Sequence, residues 1–396
     1  MGSNHEIVAE ICFSGIILQK SEKCIEKEYP EWDSVQILSI ILPVRNREPF
    51  MAQTKGTLFF LFFLAASALK AQNFGSSFDF LIKETNARVA ALGGQNVSLR
   101  DDDVQLTTGN PAVVNSTMAR TAGFTVNPSF GKVVQYNLAY ADSLSKLGNT
   151  FCNLQFLDYG KLAERDAAGI KMGDFNASQY AFSVGTGRKK GNFHLGAAIK
   201  FSGFQIQGNH SYALMFDMGM FYQHPRKLMS YGLAIKNIGG TLKKFDNSDK
   251  KMPVPFNIQA GISYKLEHMP LRISVTAFYL QETNIQYVDP NAPGTLDPNG
   301  VLIKEKRKLT EQIARHLNVG GEFMLHKSFH LRVGYNHLRR KELRPDAGAG
   351  LTGFSLGCMI NTKPINLSYT YSGWQSAGGL HFISLNCRLA NFITKN

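Results

Sequence analysis

Few side chains in this sequence are arranged as catalysis or metal binding would require. Asp101-Asp102-Asp103 is the most suggestive group, because adjacent carboxylates offer oxygen ligands to a hard cation such as Ca²⁺. The spacing is not that of a calcium loop, which needs acids at alternate positions, a turn glycine and a distal glutamate. The run therefore reads as a turn whose acids are solvated or paired with Arg88 or Arg100, and no metal is assigned. Gly353-Phe354-Ser355-Leu356-Gly357 has the letters of a nucleophile elbow, but that motif needs a strand–helix turn and these residues sit in an alternating, strand-like stretch. His194, His224, His316, His326, His330 and His337 lack zinc-protease spacing, and no phosphate-binding glycine loop occurs. The five cysteines, Cys12, Cys24, Cys152, Cys358 and Cys387, show no paired spacing, so neither a disulfide framework nor a metal site is signalled. The expectation is a protein with no catalytic residues and no cofactor. Two basic runs remain: Lys304, Lys306, Arg307 and Lys308, and Arg339, Arg340, Lys341 and Arg344. Such runs make charge-assisted bonds to lipopolysaccharide phosphates or to an acidic protein face. An ordinary solvated loop is the plain alternative.

The elements that must carry these residues are strands. From about residue 121 the sequence falls into blocks of about ten residues with period-two alternation. Phe193, Leu195, Ala197, Ile199 and Phe201 interleave with His194, Gly196, Ala198, Lys200 and Ser202. Phe256 to Leu266 and Ile365 to Tyr371 repeat the pattern, with tyrosines near block ends. Blocks of this length, apolar on one face and girdled by aromatics, are what a strand crossing a bilayer needs, whereas strands of soluble sandwiches centre on five or six residues. The predicted strands are 121–129, 132–141, 150–158, 179–187, 192–203, 211–223, 229–238, 256–266, 270–280, 316–326, 329–339, 351–361, 364–373 and 379–389. That is about 14, and bacterial single-chain barrels take even numbers. After the third strand the connections alternate long and short, with long ones at 159–178, 239–255 and 281–315. A barrel sorts its loops this way because tight turns face the periplasm and long loops the outside; the first two connections do not follow the rule. Cys152, Cys358 and Cys387 fall on the apolar faces, as small lipid-facing hydrophobes.

The only long apolar run, Leu58–Leu69, follows Lys55 and leads into Ala65-Ala66-Ser67-Ala68. A basic start, a core too short to span a bilayer and a small-residue tail describe an export signal over 51–71, cut after Ala71 or Ala68. Such a signal works at a chain's start, so translation is expected to begin at Met51, with residues 1–50 an upstream extension. The chain carries +13; residues 1–50 hold eight acids and five bases and the signal adds Lys55 and Lys70, which leaves the part from Gln72 onward near +14. This charge favours anionic partners, and export excludes nucleic acid. Residues 72–120 differ from the barrel region 121–396: Glu84–Leu92 reads as a short helix ended by Gly93-Gly94, and Asn110-Pro111-Ala112 as a turn. The expectation is a segment folded into the lumen.

Arg88, Gly93, Gly94, Asp101, Asp102, Asp103, Asn110 and Pro111 together form a pattern that resembles the start of mature PorQ proteins, outer-membrane components of the type IX secretion system of Bacteroidetes-type bacteria. Further matches follow in order: Lys236-Asn237-Ile238-Gly239, Pro255 through Leu271, Leu331 to Asn336, and Tyr369 to Leu385. The resemblance covers residues 72–390, and its motifs are specific as an ordered set rather than singly. It implies an all-β, transmembrane antiparallel barrel related to PorV and to FadL-like channels, plugged by its N-terminal segment. It also implies a scaffold role in the attachment complex, tethering a PorZ-like surface protein alongside PorU- and PorV-like subunits, near lipopolysaccharide. Barrel proteins often finish on an aromatic residue that the insertion machinery reads; here Phe392 is followed by four more residues.

Two functional classes stand side by side. A scaffold predicts a lumen blocked by 72–120 and a docking arm in the turn-rich loop 281–315. A FadL-like channel for hydrophobic small molecules predicts a ligand pocket and a lateral opening. A soluble enzyme would need a polar constellation that the sequence does not contain.

Overall fold

Alternation of apolar and polar residues with a period of two turns successive side chains to opposite faces, and a closed sheet built this way has a greasy outside and a polar inside. The computed structural model describes residues 78–245, 253–286, 308–343, 350–362, 364–375 and 378–389. The proposed extension, the export signal and Lys304, Lys306, Arg307 and Arg344 lie outside the described residues, as does most of loop 281–315. The strands are β1 (Thr121–Pro128), β2 (Val134–Leu144), β3 (Gly148–Arg165), β4 (Lys171–Lys190), β5 (Phe193–Ile206), β6 (Asn209–Gln223), β7 (Met229–Lys243), β8 (Asn257–Lys265), β9 (Leu271–Ala277), β10 (Leu317–His326), β11 (Phe329–Asn336), β12 (Phe354–Thr362), β13 (Ile365–Gln375) and β14 (Gly378–Arg388). Each pairs antiparallel with its sequence neighbours, and β1 closes the ring on β14 through Thr121↔Arg388 to Val126↔Ile383. The chain is a closed 14-strand antiparallel barrel.

The faces sort as the sequence predicts. Leu138, Leu154, Phe182, Val184, Ile199, Leu356 and Ile360 are exposed on the outside. Their inward neighbours Asn153, Gln155, Ser183, Lys200 and Ser355 are buried. An exposed apolar belt of this extent is stable only against lipid. Cys152, Cys358 and Cys387 are free and half-buried, on the outward parity.

Tight turns at 145–147, 191–192, 224–228, 266–270 and 327–328 share one end with Thr121 and Arg388, which marks that end as periplasmic. The opposite end carries the long connections, with two corrections. The stretch 159–178 is not a loop: β3 and β4 continue as a paired ribbon to Arg165↔Lys171, closed by Asp166, whose side chain accepts from the backbone N–H of Ala168 and Ile170 (3.0 and 2.8 Å). Most of this ribbon is wet on both faces, so pairing persists where the apolar alternation has no cause to continue. The second correction is at the end of the expected strand 329–339. Residues His337–Glu342 form helix α3, with Asn336 as its cap, accepting from the Arg339 N–H (2.9 Å).

Residues 78–120 run through the ring. They contain helix α1 (Ala87–Ala91) and short 3₁₀ turns at Asp79–Ile82, Val104–Thr108, Pro111–Val113 and Ser116–Met118. Side-chain oxygens of Asn86, Asp103, Asn110 and Asn115 cap four of these elements. Helix α1 ends at Gly93 and Gly94, both with positive φ (96° and 101°), as the predicted glycine stop requires. Helix α2 (Leu309–Arg315) lies just before β10.

Candidate functional site

The wall meets the inner segment on all sides. Ser384 of β14 accepts from the Ala87 N–H (2.8 Å), and Thr370 of β13 donates to the Ala87 carbonyl (2.6 Å). Ser230 of β7 donates to the Ser98 carbonyl (2.8 Å), and Ser98 shares a hydrogen bond with Ser263 of β8 (2.7 Å). Asn318 of β10 and Asn336 of β11 donate to the carbonyls of Gln95 (2.7 Å) and Gly93 (3.0 Å). Thr107 reaches Asn153 of β3 (3.3 Å). Bare wall positions let the backbones approach: a Cβ on Gly196 would overlap the Pro111–Ala112 peptide. Gly93, Asp103, Asn110 and Pro111 thus lie at the caps and seams of this segment.

Arg88 stands at the centre of the strongest seam. It donates two hydrogen bonds to Asp101 (2.8 and 2.6 Å), lies 3.5 Å from Asp103 and reaches Glu322 of β10 at 3.2 Å. Glu322 also accepts from Arg332 of β11 (2.7 Å) and from Arg272 of β9. Three guanidinium groups face three carboxylates, and Glu322 and Arg332 have side chains only 1 % exposed. Burial alone would raise the Asp101 carboxyl, but the charge and hydrogen bonds of Arg88, with Arg272 beyond, pull it down to about 2. Asp102 turns away and pairs with Arg388 at the periplasmic rim (2.6 Å). The three aspartates are therefore divided between arginines. Among the described residues no group of three or more possible ligands could hold a metal ion.

The two basic runs do not behave as units. Lys308 stands at the N-cap position of helix α2 without a side-chain capping bond, and is exposed. Arg339 is buried: helix α3 turns it inward to pair with Glu84, to donate to Ser372 (2.7 Å) and to stack 4.5 Å over the Trp374 ring. Arg340 donates to the Gly350 and Thr352 carbonyls (3.0 and 3.1 Å) and lies over Phe354. Lys341 lies 3.7 Å from Glu311 on helix α2, where His337 and Arg315 also gather. Burial would raise Glu311, but its hydrogen bond to His337 and the nearby cations hold it below the ordinary carboxylate range.

Beside Arg339, toward the long-loop end, lies a cavity of about 300 Å³. Ile82, Phe278, Leu338, Leu343 and Trp374 supply its apolar wall. The Trp374 indole N–H is buried and has no hydrogen-bond partner among the described residues. Volume and lining fall in the range of small-molecule sites. The sequence reading missed this cup and the Glu322 cluster. A charge at a lumen-facing parity position, such as Glu322 or Arg332, was the available signal. The cup had none, because 82, 278, 338 and 374 are brought together only by closure of the ring. Ser355, within the Gly-x-Ser-x-Gly letters, sits in β12 and bonds to Ser372 (2.9 Å).

No family model matches the sequence, and no curated protein does. Among solved structures the chain is similar to a FadL homologue of Pseudomonas aeruginosa, at 11 % identity and a TM-score of 0.43, covering 77 % of this chain and 98 % of the other. It is similar to the TodX monoaromatic hydrocarbon channel at 13 % identity and a TM-score of 0.42, covering 78 % and 98 %. The KdgM porin follows at 8 % identity and 0.27, covering 67 % and 98 %. The fold itself is a closed 14-strand antiparallel barrel with an apolar outer belt.

Proposed function

We propose that the chain is a FadL-like outer-membrane channel protein that takes up a small hydrophobic molecule through the cup at its long-loop end. The cup carries the reading: a cavity of about 300 Å³ whose wall is mostly apolar and includes the Trp374 ring. Its floor is the inner segment, so passage requires that segment to shift, and the cup alone is a capture site. No catalytic role is assigned. Trp374 is the only tryptophan from Gln72 onward, so its fluorescence reports on the cup. Titrating the purified barrel in detergent with a monoaromatic hydrocarbon should give a saturable fluorescence change, and Leu338→Asp should abolish it. A linear, unsaturable response in both proteins would refute capture at this site.

A second reading is the scaffold of a type IX attachment complex, with a PorZ-like surface protein held beside PorU- and PorV-like subunits in a Bacteroidetes-type outer membrane. The ordered PorQ-like motifs support it, as do the ribbon of β3 and β4 and the wall-to-wall seams of residues 78–120. Mild-detergent pull-down separates the two. Recovery of a sortase-like and an adhesin-like partner supports the scaffold, and recovery of the barrel alone with bound apolar ligand supports capture. Reversing the charges of Lys308, Arg340 and Lys341 tests whether the outer basic residues contact lipopolysaccharide.

A further inference from the structure

The periplasmic rim holds a second cavity that neither reading uses. It measures about 350 Å³ and lies where β12, β13, β14 and β1 meet the inner segment. Three asparagines stand in register across three adjacent strands, as Asn361↔Asn366 and Asn366↔Asn386, all on the inward parity. Thr121 and Thr362 flank them, and the Arg388–Asp102 pair closes one side. Asn386 is committed to the inner segment: it donates to Asp103 (3.1 Å) and accepts from Gln105 (3.0 Å). Two groups are not committed. Thr121 is 2 % exposed, and among the described residues neither its hydroxyl nor the buried Asn366 carbonyl oxygen has a hydrogen-bond partner.

A buried hydroxyl and carboxamide left unpaired are costly unless a ligand completes them. Among the described residues the lining carries one charge of each sign, Asp102 and Arg388, and its carboxamides and hydroxyls both donate and accept. That chemistry suits a neutral molecule dense in hydroxyl and acetamido groups. We propose that this cavity binds an N-acetylated glycan of the cell wall, so that the barrel grips the glycan layer from its periplasmic rim. The site spans the seam between wall and inner segment, since Asp102 belongs to one and Arg388 to the other.

The test uses the full barrel in detergent and a soluble N-acetylglucosamine tetramer as probe, titrated calorimetrically. Saturable binding is expected, weakened at least about tenfold by Asn366→Leu, the loss of one buried hydrogen bond. Heat-modifiable gel migration checks that the variant still forms a barrel. Should Asn366→Leu fail to insert, Asn361→Leu at the rim takes its place with a smaller expected loss. Absence of saturable binding overturns the proposal, as does binding that both variants leave unchanged. Binding of a D-alanine-ending peptide in preference to the sugar also overturns it, by placing the affinity in the Arg388 charge.

Discussion

Replacing Glu322 with glutamine keeps the shape of the side chain and removes one of the three negative charges that balance Arg88, Arg272 and Arg332. The cluster is left with one uncompensated positive charge. The partners are well shielded, at 8 % exposure for Arg88, 18 % for Arg272 and 1 % for Arg332. Removing one member of a buried ion pair typically costs about 3–5 kcal/mol, because the desolvation already incurred by the remaining charge goes unanswered. Glu322→Gln should therefore destabilise the folded barrel by about 3–5 kcal/mol, measured by reversible urea unfolding in lipid vesicles with Trp374 fluorescence as the signal. The double variant Glu322→Leu with Arg332→Met removes one charge of each sign and should recover at least about 2 kcal/mol of that loss. Because the cluster ties the inner segment to β9, β10 and β11, the single variant should also raise ion conductance in planar bilayers. A Glu322→Gln protein within about 1 kcal/mol of the unchanged one would refute the view that this cluster holds the segment in place.

Two further outcomes follow from the same seams. Gly196→Val should displace the Pro111–Ala112 turn without breaking the β5 ladder, raising conductance while leaving heat-modifiable migration intact; conductance equal to the unchanged protein counts against that contact. Asp101 is held at about 2 against an ordinary 3.8, so its contribution is fully present above about pH 4 and fades as pH falls through about 2. Stability should drop by about 2 kcal/mol over that window, and Asp101→Asn should flatten this part of the pH profile; a profile unchanged by the substitution would exclude the assignment.

The barrel was legible because its signal is physical and repeated. Each span such as 193–201 must show lipid one face and the lumen the other, and fourteen such spans leave little freedom of count. The ribbon at 159–178 escaped because pairing there is not imposed by lipid, and Leu162, Ile170 and Met172 follow no core. Helix α3 escaped because Asn336, its cap, reads equally well as the end of a strand. The stop of helix α1 was legible from Gly93-Gly94, and the turn that follows from Asn110-Pro111. The partners of the inner segment were not, since Arg88 meets Glu322 across 234 residues. Arg339 shows the limit most plainly: in sequence it belongs to a basic run, and in the fold one helical turn separates it from its neighbours and buries it.

The central claim is that this wall faces lipid and that its inward face is shielded from water by the chain's own residues. Nitroxide labels placed one at a time along β12, from Phe354 to Thr362, on a cysteine-free background in liposomes, test it directly. Collision with dissolved oxygen should peak at 354, 356, 358 and 360, and a water-soluble nickel complex should reach little of the span. Strong nickel access along the whole strand, with no period of two, would contradict it.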